Sequence, residues 1–215
     1  MSASGIHICI GSVYAWSVLV LPIMQFTQWS LFSITVTFSI AILFLGLSAG
    51  YFGKYVEKYG ASKSGLTSTA FFITGILGSA LALYLQNIYL LYLFYGVLSG
   101  IGLGIGYITP ISTLVKYFPN NRGFATGLAI MSFGFASMLA APLMNYLIAE
   151  YSLITNFIIM AVFYSVIMTI SSLYLDSPKY EEREDSLPPT EVYSTWQFKA
   201  LWHIFFVNIA CGIAL

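Results

Sequence analysis

Residues 100–123 read GIGLGIGYITPISTLVKYFPNNRG, and this stretch joins a strongly apolar run to the residues that form helices least readily in water. Glycine stands at every second position over 100–106, and Pro110 follows within the same run. Small residues are common in membrane helices because they let neighbouring backbones approach closely. Lys116 and Arg122 come just beyond the run. The stretch therefore predicts a tightly packed membrane helix that ends at one face of the bilayer.

The composition of the whole chain supports a membrane location. Of its 215 residues, 59% are hydrophobic and only 7% are charged, whereas a soluble domain has about 25% charged residues. A water-soluble fold of this size could not bury so much apolar surface. The formal net charge is zero, so the electrostatic footprint of a nucleic-acid-binding protein is absent. We interpret the chain as an integral membrane protein that contacts the lipid bilayer and no nucleic acid.

Six apolar stretches are each near or above the roughly 20 residues that cross a bilayer as a helix. They cover residues 4–24, 30–52, 65–86, 88–115, 123–148 and 154–175. A seventh begins near Ala200 and is still apolar at Leu215, which is marginal for a full crossing. The first stretch has no basic segment before it and no clear cleavage site, so we expect a true helix rather than a signal peptide. The sequence predicts an all-α membrane protein with a six-helix bundle and an incomplete seventh helix.

The basic residues predict the orientation of this bundle. All eight follow an even-numbered stretch: Lys54, Lys58, Lys63, Lys116, Arg122, Lys179, Arg183 and Lys199. The segments after stretches one, three and five contain none. Because cytoplasmic loops carry the excess of Lys and Arg, this end of the bundle is expected to be cytoplasmic, together with the N-terminus. The expected location is the plasma membrane or the bacterial inner membrane.

One polar segment interrupts the apolar pattern, at residues 177–198. Five of the eight acidic residues of the chain and two consecutive prolines lie there. Such a segment buries too little apolar area to form a core. We therefore divide the chain into a bundle at 1–176, a cytoplasmic linker at 177–198 and the start of helix seven at 199–215. The linker is interpreted as a solvated segment, and a regulatory or partner-binding role is the alternative.

A short motif follows the second stretch. Residues 53–63, GKYVEKYGASK, match G-x-x-x-[DE]-[RK]-x-G-x-x-[RK] through Gly53, Glu57, Lys58, Gly60 and Lys63. This resembles the signature of the loop between helices two and three in the major facilitator superfamily. In physical terms, the first glycine would let helix backbones approach closely and the second would permit a tight turn. The alternative is an ordinary basic cytoplasmic loop.

Longer segments resemble the oxalate:formate antiporter family of that superfamily. They are YAWSVLVLPI at 14–23, the run from GIGYITP to MSFGF at 104–135, and TWQFKALWHIFFVNIACGIAL at 195–215. Monocarboxylate transporters share much of this pattern. The resemblance implies a secondary active transporter that moves a small organic anion, such as a mono- or dicarboxylate, by alternating access. It also implies a further six-helix half, absent here, that would carry the basic residues that neutralise a carboxylate substrate.

The glycines of the opening stretch are predicted to pack helices together. Two four-residue series are present, one at Gly96, Gly100 and Gly104 and the other at Gly102 and Gly106. Pro110 is expected to loosen the helix where neighbours or a cavity satisfy the freed carbonyl. A glycine-lined helix would also let its neighbours slide during alternating access. Packing alone is the simpler interpretation.

Few groups within the apolar stretches could contact a substrate. In the first six stretches, His7 is the one residue among His, Lys, Arg, Asp and Glu; it lies near the start of the first stretch, and as a lone histidine it is interpreted as packed or interfacial. The resemblance places Tyr14, Trp16 and Tyr107 at the central cavity, where aromatic faces and hydroxyls could surround a small planar anion. Belt or packing roles are the alternative.

The cytoplasmic end is expected to hold a conformational latch. Glu57 is predicted to pair with a base near the ends of helices four and five, with Lys116 and Arg122 as its candidates. Such a pair would hold the outward-facing conformation of an alternating-access carrier. The other residues of the motif, Gly53, Lys58, Gly60 and Lys63, are further candidates for the latch.

Other classes of function receive less support. Cys9 and Cys211 lie far apart without metal-ligand spacing, and we find no nucleophile–base pair, metal cluster or phosphate-binding loop. We therefore expect no enzyme, no metal and no cofactor. The competing hypothesis is a non-transporting seven-helix receptor or assembly subunit. The predicted cytoplasmic N-terminus counts against the receptor.

Overall fold

The computed structural model describes residues 2–176 and 189–214. The chain divides into two compact units, Met1–Pro178 and Lys179–Leu215. The described residues are helical apart from short connections and contain no strand. Six helices are long and apolar enough to cross a membrane. The predicted all-α fold class and the six crossings are therefore confirmed.

The six membrane helices, here called spans 1 to 6, all belong to the first unit. They are Ser2–Thr27, Leu31–Tyr59, Ala61–Tyr84, Ile88–Tyr117, Arg122–Glu150 and Leu153–Leu173. Span 1 contains a 3₁₀ segment, Gly11–Ala15. Span 4 contains a π-helical segment, Tyr92–Ser99. Both irregular segments lie inside long helices, where such changes of pitch often mark functional or strained positions.

Spans 2, 4 and 6 begin at the same end of the bundle with side-chain caps. Ser30 Oγ accepts a hydrogen bond from the Ser33 N–H (3.2 Å), and Ser152 Oγ accepts one from the Thr155 N–H (3.0 Å). Asn87 Oδ1 accepts two such bonds, from Tyr89 and Leu90. These acceptors satisfy N–H groups that have no partner within the helix. The caps explain how connections of two or three residues begin the next span without a charged side chain.

The opposite end corrects one expectation from the sequence. Span 2 continues to Tyr59, seven residues beyond the apolar stretch, so Lys54, Glu57 and Lys58 lie on the helix and not in a loop. Gly60 alone separates spans 2 and 3, with φ +83°. Hydropathy marks the thickness of the apolar layer, whereas a helix extends past it wherever its hydrogen bonds continue. The predicted tight turn at Gly60 is present in the structure.

Packing places span 1 against spans 4, 5 and 6, and span 4 against spans 2 and 3. Span 1 supplies some of the largest fully buried side chains: Ile6, Ile10, Leu19 and Ile23. In the apolar windows of spans 2 and 5, only 22% and 28% of the residues are buried, against 61% in span 1. Spans 2 and 5 therefore present most of their apolar surface to the outside of this bundle.

The second unit contains two helices, Pro189–Ser194 and Trp196–Ala214. Thr195 Oγ1 accepts a hydrogen bond from the Phe198 N–H (3.2 Å) and caps the second helix. The first lies inside the predicted linker, with proline at its first position. Most of the acidic cluster of the linker lies outside the described residues.

Candidate functional site

The first glycine series of span 4 lies against span 2. Each position would place an added Cβ against span 2. The nearest atoms are Ile40 Cγ2 for Gly96 (2.7 Å), Phe44 Cβ for Gly100 (2.8 Å) and Ser48 Oγ for Gly104. No side chain fits in these gaps without displacement. The series therefore forms a smooth strip along which spans 2 and 4 meet backbone to backbone.

The second series lies against span 3. A Cβ on Gly102 would be 2.5 Å from Phe72 N, and one on Gly106 would be 2.5 Å from Ser68 Oγ. The same Ser68 Oγ donates a hydrogen bond to the Gly102 carbonyl oxygen (2.7 Å). Hydroxyl-to-carbonyl bonds of this kind join helices in an apolar surrounding. The alternation of glycines in the sequence thus serves two neighbours at once.

Pro110 is buried inside span 4, and the helix continues past it to Tyr117. Because proline has no N–H, the Gly106 carbonyl receives no bond from residue 110. The backbone of span 4 is therefore weakened just after the residues that face span 3.

A close contact between spans 1 and 5 lies at the 3₁₀ segment of span 1. A Cβ on Gly11 would overlap the Phe133 carbonyl oxygen and lie 2.7 Å from Ala136 Cβ. Glycine is therefore needed here for the approach of the two backbones. The segment that follows carries Tyr14 to the Phe133 ring.

Four aromatic side chains from three spans then meet in one group, which we call the aromatic cluster: His7, Tyr14, Tyr107 and Phe133. The Phe133 ring lies edge-to-face with Tyr14 (5.3 Å between centroids) and with Tyr107 (5.2 Å). Tyr14 is 42% exposed and Tyr107 is half-buried. Edge-to-face pairs of this geometry stabilise a fixed arrangement of rings. The cluster is therefore ordered, with one phenol ring open to the outside of the bundle.

Trp16 does not join the aromatic cluster, and its predicted place at the substrate cavity stays a prediction. It is 4% exposed, and its ring lies 4.3 Å from that of Tyr95 in the core. Two residues along the chain correspond to about 200° of rotation in an α-helix and about 240° in a 3₁₀ helix, so the side chains of Tyr14 and Trp16 point in different directions. Its indole N–H has no hydrogen-bond partner among the described residues. The Y-x-W pattern therefore places one ring on the surface and one in the core.

His7 lies at the back of the aromatic cluster and is completely buried. Its Nδ1 is 2.7 Å from the Ala129 carbonyl oxygen of span 5, and its Nε2 is 3.1 Å from the Tyr107 carbonyl oxygen of span 4. Its ring stacks on that of Tyr107 at 5.7 Å. The packed position agrees with the interpretation from the sequence. The contact with two backbones does not follow from the sequence.

The residues of the predicted latch lie apart. Glu57 is exposed and makes no ion pair with any described residue, while Arg122 is exposed and Lys116 half-buried. Lys63 is exposed in the first turn of span 3, and Lys58 Nζ is 5.2 Å above the Tyr59 ring. An added Cβ on Gly53 would have no neighbour within 4 Å. The close approach expected at Gly53 is thus not made with any residue that the structure describes, and the latch stays a prediction.

Two features of the site were missed by sequence reasoning. Phe133 received no role, although a glycine follows it and Ala129 precedes it by one turn, so span 5 is thin at this point. Gly11 was also not singled out, although it is the first residue of the 3₁₀ segment that contains Tyr14. Among residues 2–176 and 189–214, no three His, Cys, Asp or Glu side chains lie close enough together to hold a metal ion.

Comparison with known proteins places this architecture in a family. The sequence model of the Major Facilitator Superfamily matches residues 2–215. The chain belongs to the major facilitator superfamily. Together with the six apolar helices, this membership makes it a multi-pass membrane protein of a transporter family.

Individual superfamily relatives cover different parts of the chain. An uncharacterized MFS-type transporter of Escherichia coli K12, YhjX, is 30% identical over 173 residues, or 80% of this chain and 42% of its own length. The oxalate:formate antiporter of Oxalobacter formigenes is 22% identical over 203 residues, or 91% of this chain and 48% of its own. Human monocarboxylate transporter 14 is 29% identical over 101 residues, or 47% of this chain and 19% of its own. The chain thus spans less than half the length of these superfamily members.

Proposed function

We propose that the chain forms the N-terminal half of a secondary active transporter that moves a small organic anion, such as a mono- or dicarboxylate, by alternating access. The observation that carries the proposal is the aromatic cluster. Spans 1, 4 and 5 of a major facilitator chain present an ordered group of aromatic rings that contains no Lys, Arg, Asp or Glu and has one phenol open to the outside. Carriers of this kind bind substrate near the midplane, between two bundles.

The chemistry of the cluster suits a small planar anion. Tyr14 and Tyr107 each carry a hydroxyl that can donate a hydrogen bond to a carboxylate oxygen, and the edge of an aromatic ring carries partial positive charge. Neither hydroxyl is bonded to another described residue. Two of the relatives have names that specify carboxylates, oxalate and formate in one and monocarboxylates in the other. The substrate class proposed here rests on these two supports together.

A second six-helix bundle is the proposed partner. Alternating access requires two bundles that rock around one site. Spans 2 and 5 leave most of their apolar surface open in this bundle, and the chain matches 42% and 48% of the length of two relatives. In the proposed arrangement the second bundle supplies positive charge for the anion.

The proposed orientation places the N-terminus in the cytoplasm, in the plasma membrane or the bacterial inner membrane. The bases Lys54, Lys58, Lys63, Lys116 and Arg122 support it, because all five lie at one end of the bundle. The caps of spans 2, 4 and 6 lie at the other end, where the connections carry no Lys or Arg.

The experiment is uptake of labelled formate and oxalate into proteoliposomes that contain this chain together with a second bundle of the superfamily. Tyr14→Phe and Tyr107→Phe each remove one hydroxyl and keep the ring. Because a hydrogen bond to a charged group contributes about 1.5–3 kcal/mol, we expect uptake at limiting substrate to fall by roughly 10-fold or more.

Tyr146→Phe is the matched control, since Tyr146 is 58% exposed on span 5 and makes no contact with the cluster. Its uptake should equal that of the unchanged protein. Equal uptake in all three variants would remove the aromatic cluster from the substrate path. Absence of uptake for every small carboxylate tested would contradict the proposed substrate class.

A further inference from the structure

A neutral His7 ring cannot form hydrogen bonds with both of the groups that its nitrogens face. Both ring nitrogens face backbone carbonyl oxygens, at 2.7 Å and 3.1 Å. A carbonyl oxygen can only accept a hydrogen bond, and a neutral imidazole has one N–H. In either neutral tautomer, one nitrogen lone pair therefore faces an oxygen lone pair. Only the protonated ring, with an N–H at both nitrogens, donates to both carbonyl oxygens.

We propose that His7 is a reversible proton-binding site at the contact of spans 1, 4 and 5. The shorter distance assigns the proton of the neutral ring to Nδ1, which donates to the Ala129 carbonyl oxygen. An incoming proton bonds to the lone pair of Nε2. The new N–H then donates to the Tyr107 carbonyl oxygen, and the repulsive contact between spans 1 and 4 becomes a hydrogen bond.

Among residues 2–176 and 189–214, no charged side chain takes part in this contact. Spans 4, 5 and 6 and the 3₁₀ segment pack against the start of span 1, and Ile6 also approaches Gly65 of span 3. The ionisable groups of span 1 are Cys9 and Tyr14, and those of span 3 are Lys63 and Tyr84. Those of spans 4, 5 and 6 are Tyr89, Tyr92, Tyr95, Tyr107, Lys116, Tyr117, Arg122, Tyr146, Glu150 and Tyr164, with Tyr151, Tyr174 and Asp176 just beyond the helix ends. Of these, the ring of Tyr107 is the one in contact with His7. In the protonated ring, the positive charge is stabilised by hydrogen bonds to the two carbonyl oxygens.

An open pocket lies near this position. A pocket of about 240 Å³ lies between Ser2 and Ala3 of span 1, Thr113 and Tyr117 of span 4, and Asp176 beyond span 6. Ala3 precedes His7 by four residues, which is one helical turn. The pocket therefore opens about one turn from the ring, at the end of the bundle that carries the basic residues.

The experiment is a pH titration of the full chain in lipid nanodiscs by NMR. The chain has two histidines, and His203 is exposed. In a His203→Gln background, ¹⁵N-histidine labelling therefore reports His7 alone and leaves the buried ring unchanged. We expect a single transition between about pH 4.5 and 8.5, the range in which histidine charge changes. At the acidic end both ring nitrogens should carry hydrogen.

The carbonyl signals test the geometry separately. Tyr107–Ile108 is the only Tyr–Ile pair in the sequence, so ¹³C-carbonyl tyrosine with ¹⁵N-isoleucine selects the Tyr107 carbonyl. Its ¹³C shift should move with the same midpoint as His7 Nε2. The same isoleucine label with ¹³C-carbonyl alanine selects Ala129 and Ala41. Ala129, already bonded in the neutral state, should move less, and Ala41 is the matched reference that should not move.

The outcomes are decisive because the native ring is observed and no core residue is replaced. A ring that keeps one neutral tautomer across the range, in a chain that stays helical by circular dichroism, would overturn the proposal. A ring that is charged at every pH would overturn its reversibility. A titrating ring with a stationary Tyr107 carbonyl would contradict the contact with span 4. No result depends on transport, so the proposed carrier function is tested independently.

Discussion

Ser68 of span 3 and Gly102 of span 4 are joined by a hydrogen bond of 2.7 Å, from the serine hydroxyl to the glycine carbonyl. The bond forms because Gly102 has no side chain, since a Cβ there would lie 2.5 Å from Phe72 N. Close approach of the backbones and hydrogen bonding between helices thus depend on each other at this contact. In lipid, where the hydrophobic effect does not drive helices together, such contacts stabilise the bundle.

Gly102→Ala is expected to destabilise the folded bundle by about 1–3 kcal/mol, because the methyl group must displace the backbone of span 3. Gly127→Ala on span 5 is the matched control, since an added Cβ there meets no atom within 4 Å. Denaturant unfolding of the purified chains in detergent measures the difference. Equal stability of the two variants would show that spans 3 and 4 are not in close contact at Gly102.

Ser68→Ala is expected to lower the free energy of unfolding by about 0.6 kcal/mol, the average for a hydrogen bond between membrane helices. Ser165→Ala on span 6 serves as its control, because the Ser165 hydroxyl is exposed and bonds within its own helix, to Val162. The same unfolding assay applies. A loss in the control as large as that in Ser68→Ala would refute a specific contribution of the bond between spans.

Gly60→Ala tests the single-residue turn between spans 2 and 3. At φ +83° and ψ 168°, the backbone lies in a region that only glycine adopts readily, and a side chain there costs about 1–3 kcal/mol. We expect an unfolding midpoint well below that of Gly123→Ala, which adds the same methyl group in the first turn of span 5 without contacting any atom within 4 Å. Matching midpoints would contradict the strained turn.

Replacing Glu57 tests the predicted conformational latch. Since it is exposed and forms no ion pair with a described residue, Glu57→Gln should leave the stability of this chain within about 0.5 kcal/mol of the original. In a carrier completed by a second bundle, the same change should raise the accessibility of a cysteine placed at Thr113, which lines the pocket at this end. Maleimide labelling rates measure that accessibility.

The partner of Glu57 is tested by charge reversal. Combining Glu57→Arg with Arg122→Glu should restore part of the lost transport if Arg122 is that partner, and the same exchange with Lys116→Glu tests the other base. Unchanged labelling and unchanged transport in Glu57→Gln would remove the latch and leave the motif as a signal of topology alone.

Orientation is tested with single cysteines at Gln28 and Lys58, which are exposed at opposite ends of the bundle. In intact cells, an impermeant maleimide should label Gln28→Cys and spare Lys58→Cys, because the basic end is expected to face the cytoplasm. The reverse pattern would contradict both the orientation and the proposed carrier.

The sequence predicted the crossings better than the helix ends. The apolar stretch at 30–52 marks where span 2 lies in the apolar layer, but the helix runs from Leu31 to Tyr59. The reason is physical, since backbone hydrogen bonds continue in water after the apolar side chains stop. The glycine alternation at 100–106 likewise indicates close packing. The structure was needed to show that alternate glycines face different neighbours, spans 2 and 3.

The site was predicted in part. Tyr14 of span 1 and Tyr107 of span 4 belong to one aromatic cluster. Trp16 lies two residues from Tyr14, but its side chain points into the core. Helical rotation of 100° per residue already excludes a shared direction for the two side chains. Phe133, to which both tyrosines pack, carries no distinguishing pattern in its own stretch.

The sequence by itself determined the six crossings, the end of the bundle that carries the bases, and the family. All three follow from hydropathy, charge and motif spacing along the chain, and none of these properties depends on which helices are neighbours. Only the tertiary structure decided that His7 faces the carbonyl oxygens of Tyr107 and Ala129, and that Phe133 lies between two tyrosines. Those contacts depend on how each helix is rotated and how closely it approaches the next. The rotation is fixed where two backbones meet, at Gly11 and Gly102, because a residue with a side chain would not fit there.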